Sequence, residues 1–239
     1  MAIRTIDDSK LQDIAVAIQG KDSGGTMTVD EMPTRIATIP TQDNTTLNSL
    51  INRSITSIEN SEVASIGASA FEYCSDLTSV SFPNATLIDD NAFYGCSNLT
   101  SVSFPNATII NNNAFYICSN LTSVSFPNAT SIGNHAFRGD SNLTSVSFPN
   151  VTSIGSNAFR DDSNLTILIL GKRARLPYSN AFSGTNNAII YVKPGDLEWY
   201  STATNWSTLY AQNRIKSIED LTGDDLVWYQ EQLARYRAA

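Results

Sequence analysis

Hydrophobic and polar residues alternate strictly in a short stretch that occurs four times in the chain. The stretch LTSVSF begins at Leu77 and returns 22, 44 and 66 residues later. Val80 and Phe82 alternate with Ser79 and Ser81, and a period of two is typical of a β-strand with one buried face. Proline and asparagine follow each copy, and they end strands and favour turns. The pattern therefore predicts a short strand every 22 residues, with Val and Phe facing a core.

The remainder of each repeat supplies further apolar residues at fixed places. In the copy that begins at Leu77, Ile88 and the pair Ala92-Phe93 return to the core on the far side of the coil. Aligned on this pair, six coils run from about 55 to 187. The pairs are Ala70-Phe71, Ala92-Phe93, Ala114-Phe115, Ala136-Phe137, Ala158-Phe159 and, after a one-residue slip, Ala181-Phe182. One coil buries too few side chains to fold alone, so stacked neighbours must supply the missing contacts, which predicts a solenoid.

The repeat unit is specific enough to suggest a family. The sequence LTSVSFPNATSIGNHAFRGDSN, with its Ile-Gly, its Ala-Phe pair and its small turn residues, resembles the BspA-like class of leucine-rich repeats. The resemblance covers residues 55–187. It implies an α/β repeat fold, a curved leucine-rich-repeat solenoid with one parallel β-sheet, flanked by short α-helical N- and C-terminal caps. Repeats of that family are commonly one residue longer than those of this chain.

Two short helical patterns precede the repeats. Ser9 to Gln12 fits a helix capping box. The apolar residues after it share one helical face: Leu11, Ile14, Ala15 and Ile18. A second short helix is predicted in TVDEMPTRIATIP, and residues 1–40 together resemble an N-terminal module of tail-associated proteins of phages and prophages of Gram-positive gut bacteria. That resemblance implies docking on tail or baseplate proteins and assembly as a homo-oligomer such as a trimer. The alternative is a helical cap, joined to the solenoid by the linker and N-terminal cap at 41–54.

Residues 188–221 have the pattern of a C-terminal cap, similar to the cap that follows such repeats in phage-encoded proteins. A final strand is predicted from Ala188 to Lys193, with helices beginning near Asp196 and Asn205. Large side chains are expected to cover the open end of the stack: Trp199, Tyr200, Trp206, Leu209 and Tyr210. In 222–239, Thr222 is predicted to cap a last helix, whose apolar residues follow at steps of three and four: Leu226, Tyr229, Leu233 and Tyr236. Both a coiled coil and packing against the cap fit this spacing.

Charge and cysteine usage exclude several classes of protein. The net charge is -8 and the pI is about 4.5, so the chain lacks an electrostatic footprint for DNA or RNA. No apolar run approaches the roughly 18 residues of a membrane span, and MAIRTIDDSK lacks the features of a secretory signal. We expect no nucleic acid partner, no membrane insertion and synthesis in the cytoplasm of a bacterial host. Cys74, Cys96 and Cys118 share one repeat position, which predicts stacked, reduced core thiols.

The candidate chemical groups point to structure rather than to catalysis. His135 occupies a turn position that other coils fill with Ser69, Asn91, Asn113 and Asn157, which favours a turn residue over a general base. The repeated serines lack a G-x-S-x-G elbow. Asp89-Asp90 and Asp161-Asp162 lack the spaced ligands and the glycine of a calcium loop, so turn capping is the better interpretation. We therefore predict no catalytic, cofactor-binding or metal-binding residue and no enzymatic activity.

One repeat position varies from coil to coil and is rich in residue types that interfaces favour. It follows each Ala-Phe pair directly: Glu72, Tyr94, Tyr116, Arg138 and Arg160. Stacked along one edge, these side chains form a stripe from aromatic to cationic, which predicts a partner-binding surface. An exposed edge that is free to vary is the alternative. The cysteine position becomes Asp140 and Asp162 in later coils, and we expect Arg138 and Arg160 to compensate their charge.

Three functional hypotheses follow. The first is a non-enzymatic phage tail-associated protein of the virion, whose solenoid binds a protein or glycan of the bacterial cell envelope and so recognises the host. The second is a bacterial surface adhesin or interaction scaffold of the same repeat family. The third, a glycan-cleaving tail enzyme, needs a carboxylate pair with the separation that glycoside hydrolysis requires, and the repeats place none.

Overall fold

A computed structural model describes residues 56–238 of the chain. The predicted N-terminal module at 1–40 and the linker at 41–54 lie outside the described residues. Within 56–238 the chain winds into a solenoid of parallel strands with few helices, which confirms the predicted α/β repeat architecture. None of the helices in this part combines the length and apolar content that a membrane crossing requires.

Each coil contributes one longer strand to one side of the solenoid. These strands are β1 (Ser57–Glu59), β3 (Ser79–Ser81), β5 (Ser101–Ser103), β7 (Ser123–Ser125), β9 (Ser145–Phe148), β11 (Ile167–Leu170), β12 (Ile189–Val192) and β13 (Ile215–Ser217). They form two parallel sheets, ordered β1-β3-β5 and β7-β9-β11-β12-β13. Paired residues from β1 to β12 are 22 apart, as in Ser57 with Ser79 and Ile167 with Ile189. The 22-residue register therefore extends through the predicted final strand, β12, one coil beyond the six.

Shorter strands of two residues lie at a second side of each coil. They are β2 (Ser65–Ile66), β4 (Leu87–Ile88), β6 (Ile109–Ile110), β8 (Ser131–Ile132) and β10 (Ser153–Ile154). They form a third parallel sheet, again with partners 22 residues apart, as in Ile66 with Ile88. The isoleucine of each pair is buried and its partner is more exposed. This sheet adds to the predicted strand ladder and holds the Ile row of the core in place.

The Ala-Phe pairs form the third side of the coil and stand in one row, as predicted. The backbone N–H of Phe93 donates to the carbonyl of Ala114 at 2.8 Å, and equivalent bonds join the neighbouring coils. Their rings stack from Phe71 to Phe182 with centroids 5.2 to 5.5 Å apart and planes within 10° of parallel. A second row of rings, from Phe82 to Phe148, packs against the first. The two rows fill the interior with aromatic surface.

Polar side chains tie neighbouring coils together at the surface. The hydroxyl of Thr100 donates to the carbonyl of Thr78 at 3.0 Å, and the amide Nδ2 of Asn106 donates to the carbonyl of Pro83 at 2.9 Å. Equivalent bonds recur along the stack. The recurring Thr and Asn therefore satisfy carbonyls that the strand ladders leave free.

The cysteine row is buried, and its thiols are free of disulfides. Cys96 donates its S–H to the carbonyl of Phe71 at 3.0 Å, and Cys118 donates to that of Phe93 at 3.2 Å. Both acceptors lie 25 residues before the thiol, so the sulfur atoms help to join the coils. The stacked, reduced core thiols that the spacing predicts are what the structure contains.

Asp140 and Asp162 continue the cysteine row and are fully buried. The carboxyl Oδ1 of Asp140 accepts from the N–H of Cys118 at 2.8 Å, and that of Asp162 accepts from the N–H of Asp140 at 2.9 Å. Within 56–238, the Oδ2 atoms have no hydrogen-bond partner, and an ionised oxygen in that position would be costly. Burial raises the pKa of Asp162 to about 9 and that of Asp140 well above its ordinary value. Both carboxyls are therefore neutral at pH 7.

The predicted charge compensation by the two arginines is wrong. Arg138 and Arg160 direct their Nε atoms to the exposed carboxylate of Asp161, at 3.5 and 3.4 Å. They lie on the outer edge of the coil, whereas Asp140 and Asp162 point into the core. Burial neutralises the inner carboxyls by protonation, so they need no cation.

The C-terminal cap follows β12. It comprises a 3-10 turn at Pro194–Asp196, α1 (Leu197–Thr202), α2 (Ser207–Ala211), β13 and a second 3-10 turn at Ile218–Asp220. Trp206 and Tyr200 are buried against the end of the aromatic row, with Trp206 5.8 Å from Phe182. The indole N–H of Trp206 donates to the carbonyl of Ala174 at 2.7 Å. Tyr210, which was expected to help cover this end, stays 41% exposed.

The last helix, α3 (Gly223–Ala238), packs on the strand side of the solenoid. It begins directly after Thr222, as predicted. Leu226 and Tyr229 pack with the buried Ile167 and Ile169 of β11, and these isoleucines stand where earlier coils have serine. Leu226 and Tyr229 thus support packing against the solenoid rather than a coiled coil. The side chains of Leu233 and Tyr236 lie outside the described residues.

Candidate functional site

The variable residues after the Ala-Phe pairs form a ridge along the turn side of the solenoid. We define the ridge as two adjacent rows, the outer row at 72, 94, 116, 138 and 160 and the inner row at 73, 95, 117, 139 and 161. All five residues of the predicted stripe lie in the outer row, and each is half-buried. Their placement side by side follows from the 22-residue ladder of the Phe residues that precede them. Their role in binding stays a prediction.

Side chains of the ridge contact one another from coil to coil. The ring of Tyr94 stacks on that of Tyr116, with centroids 5.0 Å apart, and Tyr73 meets Tyr94 edge-on at 5.1 Å. The guanidinium of Arg138 covers the opposite side of the Tyr116 ring at 5.6 Å. A hydrogen bond with the Tyr73 hydroxyl, helped by partial burial, raises the pKa of Tyr94. These contacts hold the ring faces of Tyr94 and Tyr116 within the ridge and leave their edges and hydroxyls at the surface.

The far end of the ridge carries charge. Asp161 lies between Arg138 and Arg160 and contacts both at about 3.5 Å or less. Because the Asp161 side chain is 51% exposed, such pairs contribute little to the stability of the fold. They hold two guanidinium groups in fixed positions at the surface, with one net positive charge among the three groups. Glu72 supplies the negative charge at the opposite end.

The inner row alternates between large side chains and glycine. Tyr73, Ile117 and Asp161 alternate with Gly95 and Gly139, and the backbone φ at all five positions lies between 57° and 79°. A Cβ atom added at Gly95 would lie 2.6 Å from Cδ1 of Tyr73. Each glycine thus leaves room for the large side chain of the preceding coil. The alternation follows from this space requirement.

Ile117 is the most unusual residue of the ridge. Its φ of 58° lies in the left-handed region, which is a genuine outlier for a β-branched residue. Holding a non-glycine residue there costs about 1–2 kcal/mol, and the side chain is nevertheless 41% exposed. Two equivalent positions carry glycine, so the turn itself does not require a large residue. Strain at an exposed apolar side chain points to selection for contact with something outside the coil.

His135 lies beside the ridge but has the features of a turn residue. Its φ of 58° matches those of Asn91 and Asn113 at the same repeat position, and Asn and His tolerate this region better than most residues. Its ring lies 6.3 Å from that of Tyr116. Partial burial lowers its pKa, and the positive charges of Arg138 and Arg160 lower it further. The imidazole is therefore neutral at pH 7.

Other candidate sites serve the fold. Asp89 Oδ1 accepts from Asn111 Nδ2 at 2.7 Å, and Asp90 Oδ1 accepts from the N–H of Asn112 at 2.8 Å, so these carboxylates join neighbouring turns. Within 56–238, no group of three His, Cys, Asp or Glu side chains is placed to hold a metal ion. The basic residue Arg173 is engaged with Asp196 at 2.7 Å.

Sequence reasoning found the outer row but gave no role to the inner row. The available signal was the alternation of Tyr73, Ile117 and Asp161 with glycine at one repeat position. An apolar β-branched residue at a position that also accepts glycine suggests a left-handed turn with an exposed side chain. The values of φ were needed to see that the position is strained.

Known proteins resemble this chain over the repeats. A profile described as BspA type leucine rich repeat region matches residues 44–166 and 130–220, in six copies. A leucine rich cell surface protein from Faecalibacterium prausnitzii is 28% identical with a TM-score of 0.51, over 58% of this chain and 39% of that one. The T. pallidum leucine rich repeat protein TpLRR is 26% identical with a TM-score of 0.49, over 58% of this chain and 62% of that one.

This chain thus spans less than two thirds of either solved relative. No curated protein sequence gives a significant match. The profile match is the stronger result, because its two segments together run from 44 to 220 of the 239 residues. The solenoid observed in 56–238 has the parallel ladders and the stacked apolar rows that such repeats require. The chain belongs to the BspA-type leucine-rich repeat family.

Proposed function

We propose that this protein is a non-catalytic interaction scaffold that binds a protein or glycan of the bacterial cell envelope through the ridge. The observation that carries the proposal is Ile117, an exposed β-branched residue held in a left-handed turn between Tyr116 and Arg138. Tyr and Arg are enriched where proteins bind one another. Membership of a leucine-rich repeat family supports a role in interaction.

The arrangement of carboxyl groups argues against a glycan-cleaving enzyme. Asp140 and Asp162 are neighbouring carboxyls, but both are fully buried, so a polysaccharide has no access to them. Asp161 is exposed and is occupied by two arginines. A glycosidase needs an acid and a second carboxylate on opposite sides of a bound sugar. The proposal therefore assigns binding and no hydrolysis.

Two settings suit such a scaffold. The solved relative from Faecalibacterium prausnitzii is described as a cell surface protein, which supports an adhesin at the surface of a bacterium. The sequence of residues 1–40, with its resemblance to phage tail modules, supports a virion protein that docks on tail or baseplate proteins and assembles as a trimer. Antibody labelling in electron microscopy separates the two, because label on the cell surface favours the adhesin and label on phage tails favours the virion protein.

The binding test compares the full chain with Tyr94→Ala/Arg138→Ala on isolated bacterial envelopes. Both side chains are half-buried on the ridge, so we expect about tenfold weaker adsorption or more, with a nearly unchanged melting temperature. Ser101→Ala/Ser103→Ala is the matched control on the strand side, and its adsorption should equal that of the wild type. Unchanged adsorption of the ridge variant would contradict the proposal. A rise in reducing ends on incubation with envelope polysaccharide would contradict the absence of hydrolysis.

A further inference from the structure

The outer row of the ridge is complementary to itself when its order is reversed. Its middle coil holds Tyr116, and the two end positions, equally distant from it, hold Glu72 and Arg160. The ends thus carry opposite charges. We infer that two copies of this chain pair antiparallel through their ridges, about a two-fold axis at the coil of Tyr116 and Ile117. The inference deepens the proposed function, because it names a second copy of the chain as a partner of the same surface.

The symmetry of such a dimer decides which residues meet. A two-fold axis that lies between the two ridges and perpendicular to both solenoids reverses the order of the coils and keeps each row opposite itself. In the outer row, Glu72 then faces Arg160 of the second copy, and Tyr94 faces Arg138 of the second copy. Tyr116 faces its own counterpart at the axis. Every contact is therefore an opposite-charge pair, a cation–aromatic pair or an aromatic pair.

The inner row is complementary under the same operation. Tyr73 faces Asp161 of the second copy, so a phenol hydroxyl meets a carboxylate that can accept its proton in a hydrogen bond. Gly95 faces Gly139 of the second copy, which leaves space where the two edges approach most closely. Ile117 faces its own counterpart at the axis. Ten positions thus obey one rule without a like-charge clash.

A straight edge is needed for all five coils to meet at once. The Phe residues that precede the ridge stack with planes 1° to 10° apart, and their centroids advance by 5.2 to 5.5 Å per coil. This edge therefore has little twist and an even step. Two copies laid antiparallel remain in register from Glu72 to Arg160. A strongly twisted edge would bring only one or two coils together.

The two-fold axis also accounts for the strained residue. Ile117 is 41% exposed, and the dimer buries two of these side chains against each other at its centre, where contacts contribute most to affinity. The equivalent positions one coil away are glycines, and no neighbouring large residue of the inner row competes for the space. Strain in the left-handed region is thus compensated by burial in the pair.

The ridge is short, so the dimer is weak. Five coils span about 19 Å at the usual strand spacing, and specific stable interfaces bury about 800 Å² on each partner. We expect a monomer–dimer equilibrium that depends on concentration. Presentation of several copies on one particle or cell raises the effective concentration and favours pairing.

Charge reversal tests the pairing. Sedimentation velocity of the full chain, from micromolar to near-millimolar concentration, should show dimer formation. Glu72→Arg or Arg160→Glu alone should raise the dissociation constant about tenfold or more, because each places like charges opposite one another at both ends of the interface. An equimolar mixture of the two variants should form heterodimers, since both end pairs are then opposite in charge. Glu62→Arg, an equal change in charge at an exposed position outside the ridge, is the control and should dimerise as the wild type does.

Two results would overturn the inference: a monomer at every concentration, or a dimer that neither single reversal weakens. A trimer whose mass is unaffected by the reversals would also overturn it. The outcome is independent of the envelope test. A monomer whose ridge variants lose adsorption leaves the proposed function standing without the dimer. A dimer whose ridge variants keep full adsorption leaves the dimer standing and removes the envelope as the partner of the ridge.

Discussion

The strand side and the turn side of the same coils differ sharply in how their sequences vary. On the strand side, Ser79, Ser101 and Ser123 repeat unchanged, whereas on the ridge Tyr116 is followed one coil later by Arg138. Both sides have equally regular backbone ladders, with bonds of 2.8 to 3.0 Å between neighbouring coils. The backbone therefore does not require the ridge to vary. We attribute the variation to contacts that its side chains make outside the coil.

The strand side shows what happens when its own surface is covered. Ser145 and Ser147 of β9 are buried, and in β11 the equivalent positions become Ile167 and Ile169, which pack with α3. In β5, by contrast, the serines are exposed. A row that meets another element turns apolar, and a row that faces water keeps its hydroxyls. The ridge, with large apolar residues left exposed, follows the first pattern without having its cover in place.

The largest effect is expected from the row beneath the ridge. Phe115→Ala removes a fully buried ring from the middle of the aromatic stack, and such truncations cost about 3–5 kcal/mol of the free energy of unfolding. Tyr116→Ala, one residue further along, is the matched control on the ridge and should cost less than about 1 kcal/mol. Urea unfolding of both variants measures the difference. Equal losses would mean that the ridge contributes to the core.

A pH-dependent effect is expected from Asp162. Its folded-state pKa of about 9 exceeds the ordinary value of 3.8, so the folded state holds a proton that the unfolded state releases. This contribution to stability is fully present below about pH 4 and is lost as the pH rises through 9, by about 1.4 kcal/mol per pH unit. Asp162→Asn removes the titration and keeps an oxygen that accepts from the N–H of Asp140. Its unfolding free energy should fall less steeply than that of the wild type between pH 5 and 8, and parallel slopes would contradict the buried, neutral acid.

Ile117→Gly separates the ridge from the fold. Glycine adopts the left-handed conformation without strain, which offsets the loss of the side chain's contacts, so the free energy of unfolding should change by no more than about 1 kcal/mol. Dimer formation should nevertheless be lost, because the central contact is gone. Denaturant unfolding and sedimentation on the same sample give both results. A clear loss of stability would assign Ile117 to the fold instead.

The smallest effect is expected on the strand side. Ser103→Ala changes an exposed hydroxyl of β5 and should alter the free energy of unfolding by no more than about 0.5 kcal/mol. Neither dimer formation nor envelope adsorption should change. A loss of adsorption would move the binding surface from the ridge to the serine rows.

Much of the fold could be predicted because each coil repeats the same contacts. The alternation of Val80 and Phe82 with serine indicated the strand, and the Ala-Phe pairs indicated a row, since equal spacing in sequence becomes equal position in a stack. The strand β13 was missed, because Ile190 pairs with Ile215 in a register of 25 rather than 22. Periodicity carries no information once the chain leaves the period.

The site was predictable in composition but not in detail. The outer row followed from the same spacing, whereas the partner of Arg138 did not. Asp140 and Asp161 both lie close to it in sequence, and the choice between them depends on which side of the turn faces the core. Left-handed φ at Ile117 likewise depends on the turn geometry, which glycine at the equivalent positions suggests without requiring.

The constant register between neighbouring coils has an evolutionary consequence. Any two coils from Leu77 to Asp162 present equivalent edges, so loss or duplication of 22 residues by recombination between near-identical repeats rejoins the chain without disturbing a single ladder. Copy number can therefore change freely as far as folding is concerned. The order of rungs on the ridge has no such freedom, because removing one coil shifts its centre and places Glu72 out of step with Arg160. Lineages that keep five rungs in this order would do so for the sake of recognition.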